Sequence, residues 1–258
     1  MYSLRDKIVL ITGASSGIGQ SCARAFAGVG ARVLMCARRL DRIEALAAEL
    51  KKGHGIAAHA FQLDVRNRAA VENAIASLPP EWQAIEVLVN NAGLSRGLDK
   101  LYEAQVQDWE EMIDTNIKGL LYVSRTVIPG MVKRGKGHII NLGSIAGMEV
   151  YPGGSVYCAT KAAARFLSQG LRMDLLGTPL RVTNVQPGMV ETEFSAVRFH
   201  GDQARADKVY ENIQPLTPDD IADIVVFAAT RSPHVNIAEL LVTPTAQASA
   251  ILNYREKK

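Results

Sequence analysis

A single doubly wound α/β domain, with a parallel sheet of about seven strands and helices on both faces, is the fold this sequence predicts. Three observations predict it. Short runs rich in β-branched residues alternate with longer helical stretches along the whole chain. The first of these runs is followed at once by a cluster of glycines, the punctuation of a strand that turns into a helix. The length of 258 residues with 48% hydrophobic content suits one domain with a large core.

The elements follow in order. "KIVLIT" is the first strand, ended by Thr12 and Gly13, and reads as a strand and not as a signal peptide. A helix runs from Gly17 to Gly30. "RVLMCA" is the second strand and "RLDRIEALAAELKK" the second helix. "IAAHAFQLDV" and "IEVLVNNAG" are strands separated by the helix "NRAAVENAIASL". "GHIINLGS" and "LRVTNVQPG" are each flanked by long helical segments, and "AELLVTP" is a last strand near the C-terminus. No repeat, low-complexity segment or linker interrupts the pattern. The one long irregular region, Pro187 to Pro215, is expected to be a substrate lid at about 188–215, because long loops in compact domains are usually functional.

Composition removes several function classes. The net charge is +3 and no long block of like charge occurs, so no nucleic-acid or membrane partner is expected. No apolar run approaches a membrane span. Cys22, Cys36 and Cys158 have no metal-ligand spacing, so no metal is expected. They read as free thiols in a reducing compartment, and the cytoplasm is the expected location.

The turn "TGASSGIG" carries glycines at 13, 17 and 19. Glycine lets the backbone approach a phosphate, and the N–H groups of the following helix point at that anion. At the end of the second strand a carboxylate would select a ribose 2′-hydroxyl. The sequence has "CARRL" instead, with Arg38 and Arg39 and no acid before Asp41. Two guanidiniums favour a 2′-phosphate, so the pair predicts NADP(H) rather than NAD(H).

In "SVYCATKAAARF", Tyr157 lies one helical turn before Lys161, so both share a face. A free tyrosine is a poor base near neutrality, with a pKa of ~10. A lysine one turn away is expected to lower it. Ser144 ends "GHIINLGS" at the carboxyl edge of the sheet, where open α/β sheets bind ligands.

"TGASSGIG", "LDV", "NNAG", Asn116, Ser144, "YCATK" and "QPG" occur in the order of the short-chain dehydrogenase/reductase family, and the chain resembles that family over essentially its whole length. "LDVRNRAAVE", "SLPPEW", "DWEEMIDTNIKGL", "GGSVYCATKA", "FSAVRF" and "HVNIAELLVTPTAQ" look like the NADP-dependent 3-hydroxy acid dehydrogenases within it, which act on serine, allo-threonine and related acids and reduce malonic semialdehyde. The resemblance implies a Rossmann domain in which Tyr157 exchanges the proton, Ser144 orients the substrate oxygen, Lys161 also binds the nicotinamide ribose, and Asn116 joins a proton relay through water to Lys161. For the coenzyme it implies Gly13, Ser15, Ser16, Gly17, Ile18 and Gly19 in the turn, and Asp64 and Val65 at the adenine. Asn90, Asn91 and Gly93 are expected beneath the ribose, and Pro187, Gly188, Val190 and Thr192 at the carboxamide. It further implies a homotetramer, and the C-terminal "LNYREKK" is a candidate to reach a neighbouring subunit.

For substrate, Arg198 in "FSAVRFHG" is the best candidate to hold an anion, with Arg96 and Tyr151 beside the same cleft. Arg96 and "GMVETEF", which lacks an extra glycine, depart from the 3-hydroxy acid pattern, so a larger or more strongly acidic group than a simple carboxylate is also expected to fit. The predicted activity is hydride transfer between NADP(H) and a small anionic hydroxy acid or its aldehyde. Sulfoacetaldehyde reduction is the alternative. A binding protein without turnover has no need of the set Asn116, Ser144, Tyr157 and Lys161.

Overall fold

Both sides of the central strands are buried, which is why their sequences are apolar without alternation. The computed structural model describes residues 2–256. Among these residues the strands are β1 (Ile8–Thr12), β2 (Arg32–Ala37), β3 (Ala58–Gln62), β4 (Ile85–Asn90), β5 (His138–Leu142), β6 (Arg181–Pro187) and β7 (Glu239–Val242). They form one sheet in the order β3-β2-β1-β4-β5-β6-β7, parallel throughout. The order reverses between β1 and β4, and such a switch point opens a crevice at the carboxyl ends of the strands.

Helices cover the two faces. On one, Val9 and Ile11 pack with residues of α1 (Gly17–Gly28), α2 (Leu40–His54) and α9 (Pro218–Ala229), among them Phe26, Leu46 and Val225. On the other, Ile8 and Leu10 pack with residues of α3 (Arg68–Ala76) and α5 (Leu120–Arg134), among them Val71, Val127 and Met131. Each fully buried side chain of this size contributes about 1.5–3 kcal/mol over its exposed state. Helix α4 (Val106–Ile113) runs into a π-helical turn, Asp114–Gly119, before α5 continues. Helix α6 (Ser155–Asp174) follows β5 and a short 3-10 turn.

One expectation needs correction here. The region 187–215 is not irregular throughout: it forms α7 (Phe194–Arg198) and α8 (Gln203–Val209), separated by His200 and Gly201 with positive φ. In the C-terminal tail the Arg255 guanidinium donates to the Val209 and Glu211 carbonyls and the Glu256 N–H to the Asn212 carbonyl. Lys257 and Lys258 fall outside the described residues.

Candidate active site

A cleft of about 670 Å³ opens along the carboxyl ends of the strands. Its floor is the turn after β1. Gly13 has φ +66°, and a Cβ there would lie 2.9 Å from the Ala92 Cα, so the turn and the end of β4 touch only because the residue is glycine. Gly19 does not reach the cleft, contrary to expectation. A Cβ on it would lie 2.4 Å from Asn91 Nδ2 and 2.5 Å from the Gly13 carbonyl oxygen, so it serves close packing of α1 beneath the turn. The Asn91 amide donates to the carbonyls of Thr12 (2.9 Å) and Gly13 (3.1 Å), and the Thr12 hydroxyl accepts from the N–H groups of Asn91 and Ala92.

The turn fits a dinucleotide. Ser16, at the N-cap of α1, makes no side-chain capping bond, and the first turn holds no acid, so the N-terminal N–H groups are available to an anion. Arg39 stands over the turn: Nε and Nη2 donate to the Ser15 hydroxyl (3.2 and 3.0 Å), and Nη2 also donates to the Ser16 hydroxyl (2.8 Å). Arg38 lines the cleft beside it and pairs with Glu111 at 3.8 Å. Asp64, which lines the cleft just after β3, is clamped by Arg66 at 2.6 Å. Burial pushes its carboxyl up, but the Arg66 contacts outweigh this and hold it below the ordinary carboxylate range. The N-cap of α3 is Asn67, which accepts from the Ala70 N–H, so Asp64 has no capping duty there. Asn90 is likewise not in the cleft. It is buried and bridges the Ser124 hydroxyl and the Asn141 carbonyl oxygen, a sheet-to-helix tie.

The reactive corner lies between β5, α6 and α7. Tyr157 and Lys161 are both buried on the cleft side of α6. Lys161 Nζ donates to the Leu142 carbonyl at 2.8 Å and lies 5.9 Å from the Tyr157 ring centre. The Ser144 hydroxyl accepts from the Ala146 N–H and lies close enough to the Tyr157 phenol to pull its pKa down. Asn116 sits in the π-helical turn, its carbonyl oxygen accepting from the Leu94 N–H (2.9 Å) and its amide donating to the Leu94 carbonyl (2.8 Å) and the Thr160 hydroxyl (3.0 Å). Its side chain therefore ties the Leu94 backbone to α6.

The protein groups around the tyrosine do not produce the expected depression. Burial raises Tyr157 well above the ordinary phenol value, nearby Tyr151 adds to the rise, and the pull of Arg198 and the Ser144 hydrogen bond is too weak to reverse it. Burial also lowers Lys161 to about 8, because an ammonium without a carboxylate partner is costly to desolvate. The phenol is thus held protonated, the form that donates.

Arg198, at the end of α7, faces Tyr157. Its Nε donates to the Ser95 hydroxyl at 3.1 Å and Nη2 to the Tyr151 hydroxyl at 3.0 Å. The guanidinium carbon is 5.4 Å from the Tyr157 ring centre and 5.0 Å from that of Phe194. Arg96 is a correction: it does not line the cleft, pairs with Glu111 at 2.7 Å and donates to the Val197 carbonyl. It fastens α7 to the body, as do the Gly97 N–H on the Arg198 carbonyl (2.9 Å) and His200 against Asp108 (3.2 Å). Sequence reasoning missed Ser95, Phe194, Glu111 and Glu193. Ser95 follows "NNAGL" directly, and proximity to that motif was the one available signal.

The sequence model of the family described as short chain dehydrogenase matches residues 7–203. The chain belongs to the short-chain dehydrogenase/reductase family. A relative from Escherichia coli (strain K12), "NADP-dependent 3-hydroxy acid dehydrogenase YdfG", is 51% identical over 247 residues, 95% of this chain and 98% of that one. The "NADP-dependent 3-hydroxy acid dehydrogenase" of Schizosaccharomyces pombe is 45% identical over 258 residues, 100% of both. Among solved structures, "The Closed form of serine dehydrogenase complexed with NADP+" superposes with a TM-score of 0.90 at 50% identity, covering 97% of this chain and 100% of that one. This short-chain dehydrogenase is accordingly an NADP-dependent oxidoreductase. Among its described residues no cluster of ligands could hold a metal, and no helix is long and apolar enough to cross a membrane.

Proposed function

We propose that this enzyme exchanges hydride between NADP(H) and a small 3-hydroxy acid or the corresponding semialdehyde, with Arg198 holding the substrate carboxylate. The observation that carries the substrate reading is the position of Arg198 beside Tyr157 inside the cleft. Of the five N–H donors of a guanidinium, Ser95 and Tyr151 take two, which leaves donors for a forked carboxylate bond. A 3-hydroxy acid anchored there carries its oxidisable carbon two bonds from the carboxyl carbon, on the side of the phenol.

The coenzyme, when bound, supplies or accepts the hydride. Arg38, Arg39, Ser15 and Ser16 would hold its 2′-phosphate, Asp64 its adenine, and residues 187–192 its carboxamide. Tyr157 gives its proton to the carbonyl oxygen in reduction and takes it back in oxidation. The Ser144 hydroxyl fixes the same oxygen, and Lys161 holds positive charge beneath the site. Asn116 is a positioning residue for Leu94 and α6. Helices α7 and α8 act as the lid: Phe194, Val197 and Arg198 roof the reactive corner and exclude water.

Two measurements test this reading. Tyr157→Phe should bind NADPH normally and lose at least ~100-fold in kcat, the usual worth of a positioned acid–base group; undiminished turnover would overturn the mechanism. In a panel of serine, 3-hydroxypropionate, malonic semialdehyde and sulfoacetaldehyde, the carboxylates should give the higher kcat/KM. A preference for sulfoacetaldehyde would replace the 3-hydroxy acid assignment.

A further inference from the structure

The arginine at the phosphate position already carries an anion. Glu193, at the start of the lid helix α7, receives Arg39 Nη1 on one carboxylate oxygen at 2.9 Å and Arg42 Nη1 on the other at 2.7 Å. The side chain comes from 154 residues further along the chain, so this is a tertiary contact and no local helix pair. The two arginines hold its carboxyl below the usual carboxylate range, Arg42 most strongly. Meanwhile Arg39 spends its other contacts on Ser15 and Ser16, the hydroxyls of the phosphate turn. One guanidinium therefore joins the phosphate turn to the lid through a carboxylate.

We infer that Glu193 is a built-in competitor of the coenzyme's 2′-phosphate, a residue that tempers NADP(H) affinity while leaving NAD(H) affinity untouched. A 2′-phosphate carries about −1.5 to −2 charges near neutrality. To use Arg39 it either displaces Glu193 or shares the cation with it, and both routes oppose binding. Displacement costs the Glu193 pair, whereas sharing places two anions on one cation. A 2′-hydroxyl meets neither penalty. The pairs are half exposed, with Arg39 41% and Glu193 47% accessible, so screening keeps the effect moderate and salt-dependent. Its consequence is a coenzyme that leaves more readily, with the lid's first residue released from Arg39 as the phosphate arrives.

The inference rests on Arg39 as the phosphate ligand, and the test separates the two. Binding of NADPH, NADH, 2′,5′-ADP and 5′-AMP is measured by calorimetry at low salt for the wild type, Glu193→Gln and Arg39→Ala. Glu193→Gln should tighten NADPH and 2′,5′-ADP roughly 3- to 10-fold, leave NADH and 5′-AMP unchanged, and lose its advantage in ~0.5 M salt. Unchanged or weaker 2′,5′-ADP binding would overturn the competition, as would equal tightening of 5′-AMP. Arg39→Ala should weaken NADPH and 2′,5′-ADP far more than NADH. If it does and Glu193→Gln has no effect, only the competition fails; if it does not, the phosphate role of Arg39 fails.

Discussion

Replacing Lys161 with methionine should stabilise the ligand-free enzyme while it destroys turnover. Lys161 is 8% exposed, has no carboxylate partner among its contacts, and is lowered by burial from 10.5 to about 8. At about 1.4 kcal/mol per unit, keeping this ammonium protonated in the folded state costs about 3 kcal/mol. Methionine fills a similar volume without charge but loses the hydrogen bond to the Leu142 carbonyl, worth about 1 kcal/mol. The variant should therefore be more stable by about 2 kcal/mol at pH 7. The pH dependence has a definite sign. Below pH 8 the lysine is protonated in both states and the cost is constant. Between about 8 and 10.5 the unfolded chain binds the extra proton, so wild-type stability gains on the variant as pH rises. Above 10.5 the cost is gone and the variant should be the weaker by about 1 kcal/mol. Urea unfolding of both proteins at pH 7 and pH 11 checks this, because other titrations cancel in the difference. A difference that does not move with pH, or a variant weaker at pH 7, would refute the reasoning. The gain would mark Lys161 as a residue kept for function against stability.

Arg198→Leu should lower kcat/KM for carboxylate substrates roughly 10- to 100-fold, the worth of a charged hydrogen bond, with little effect on a neutral aldehyde of similar size; equal losses on both would remove Arg198 from substrate binding. Gly19→Ala should lose about 1–3 kcal/mol and weaken NADPH, since its Cβ would meet Asn91 and the Gly13 carbonyl inside 2.6 Å, whereas Gly28→Ala meets nothing and should melt as the wild type does. Thermal melts of the two variants decide between packing and mere helix propensity.

The amino-acid sequence by itself determined the order of elements, the parallel sheet and the placing of Tyr157 and Lys161 on one side of a helix. These depend on short-range information: apolar runs of strand length, glycine where backbones must touch, and a tyrosine and lysine one helical turn apart. The nucleotide preference was legible for the same reason, because Arg38 and Arg39 end a strand whose position the pattern already gave. What the sequence left open is decided by partners distant in the chain. Arg96 and Arg198 look alike as isolated cations. Only the fold turns Arg96 onto Glu111 and the Val197 carbonyl, and sets Arg198 between Ser95, Tyr151 and Tyr157. Asn90 and Asn91 are neighbours in one motif, yet strand pleating sends the first into the sheet core and the second to the cleft floor. The direction of the Tyr157 shift is of the same kind. A lysine one turn away suggests a lowered pKa, but desolvation is a property of everything packed around a group, and here it outweighs the nearby cations. Glu193 on Arg39 is the extreme case, a contact between a lid and a strand end that no local pattern encodes.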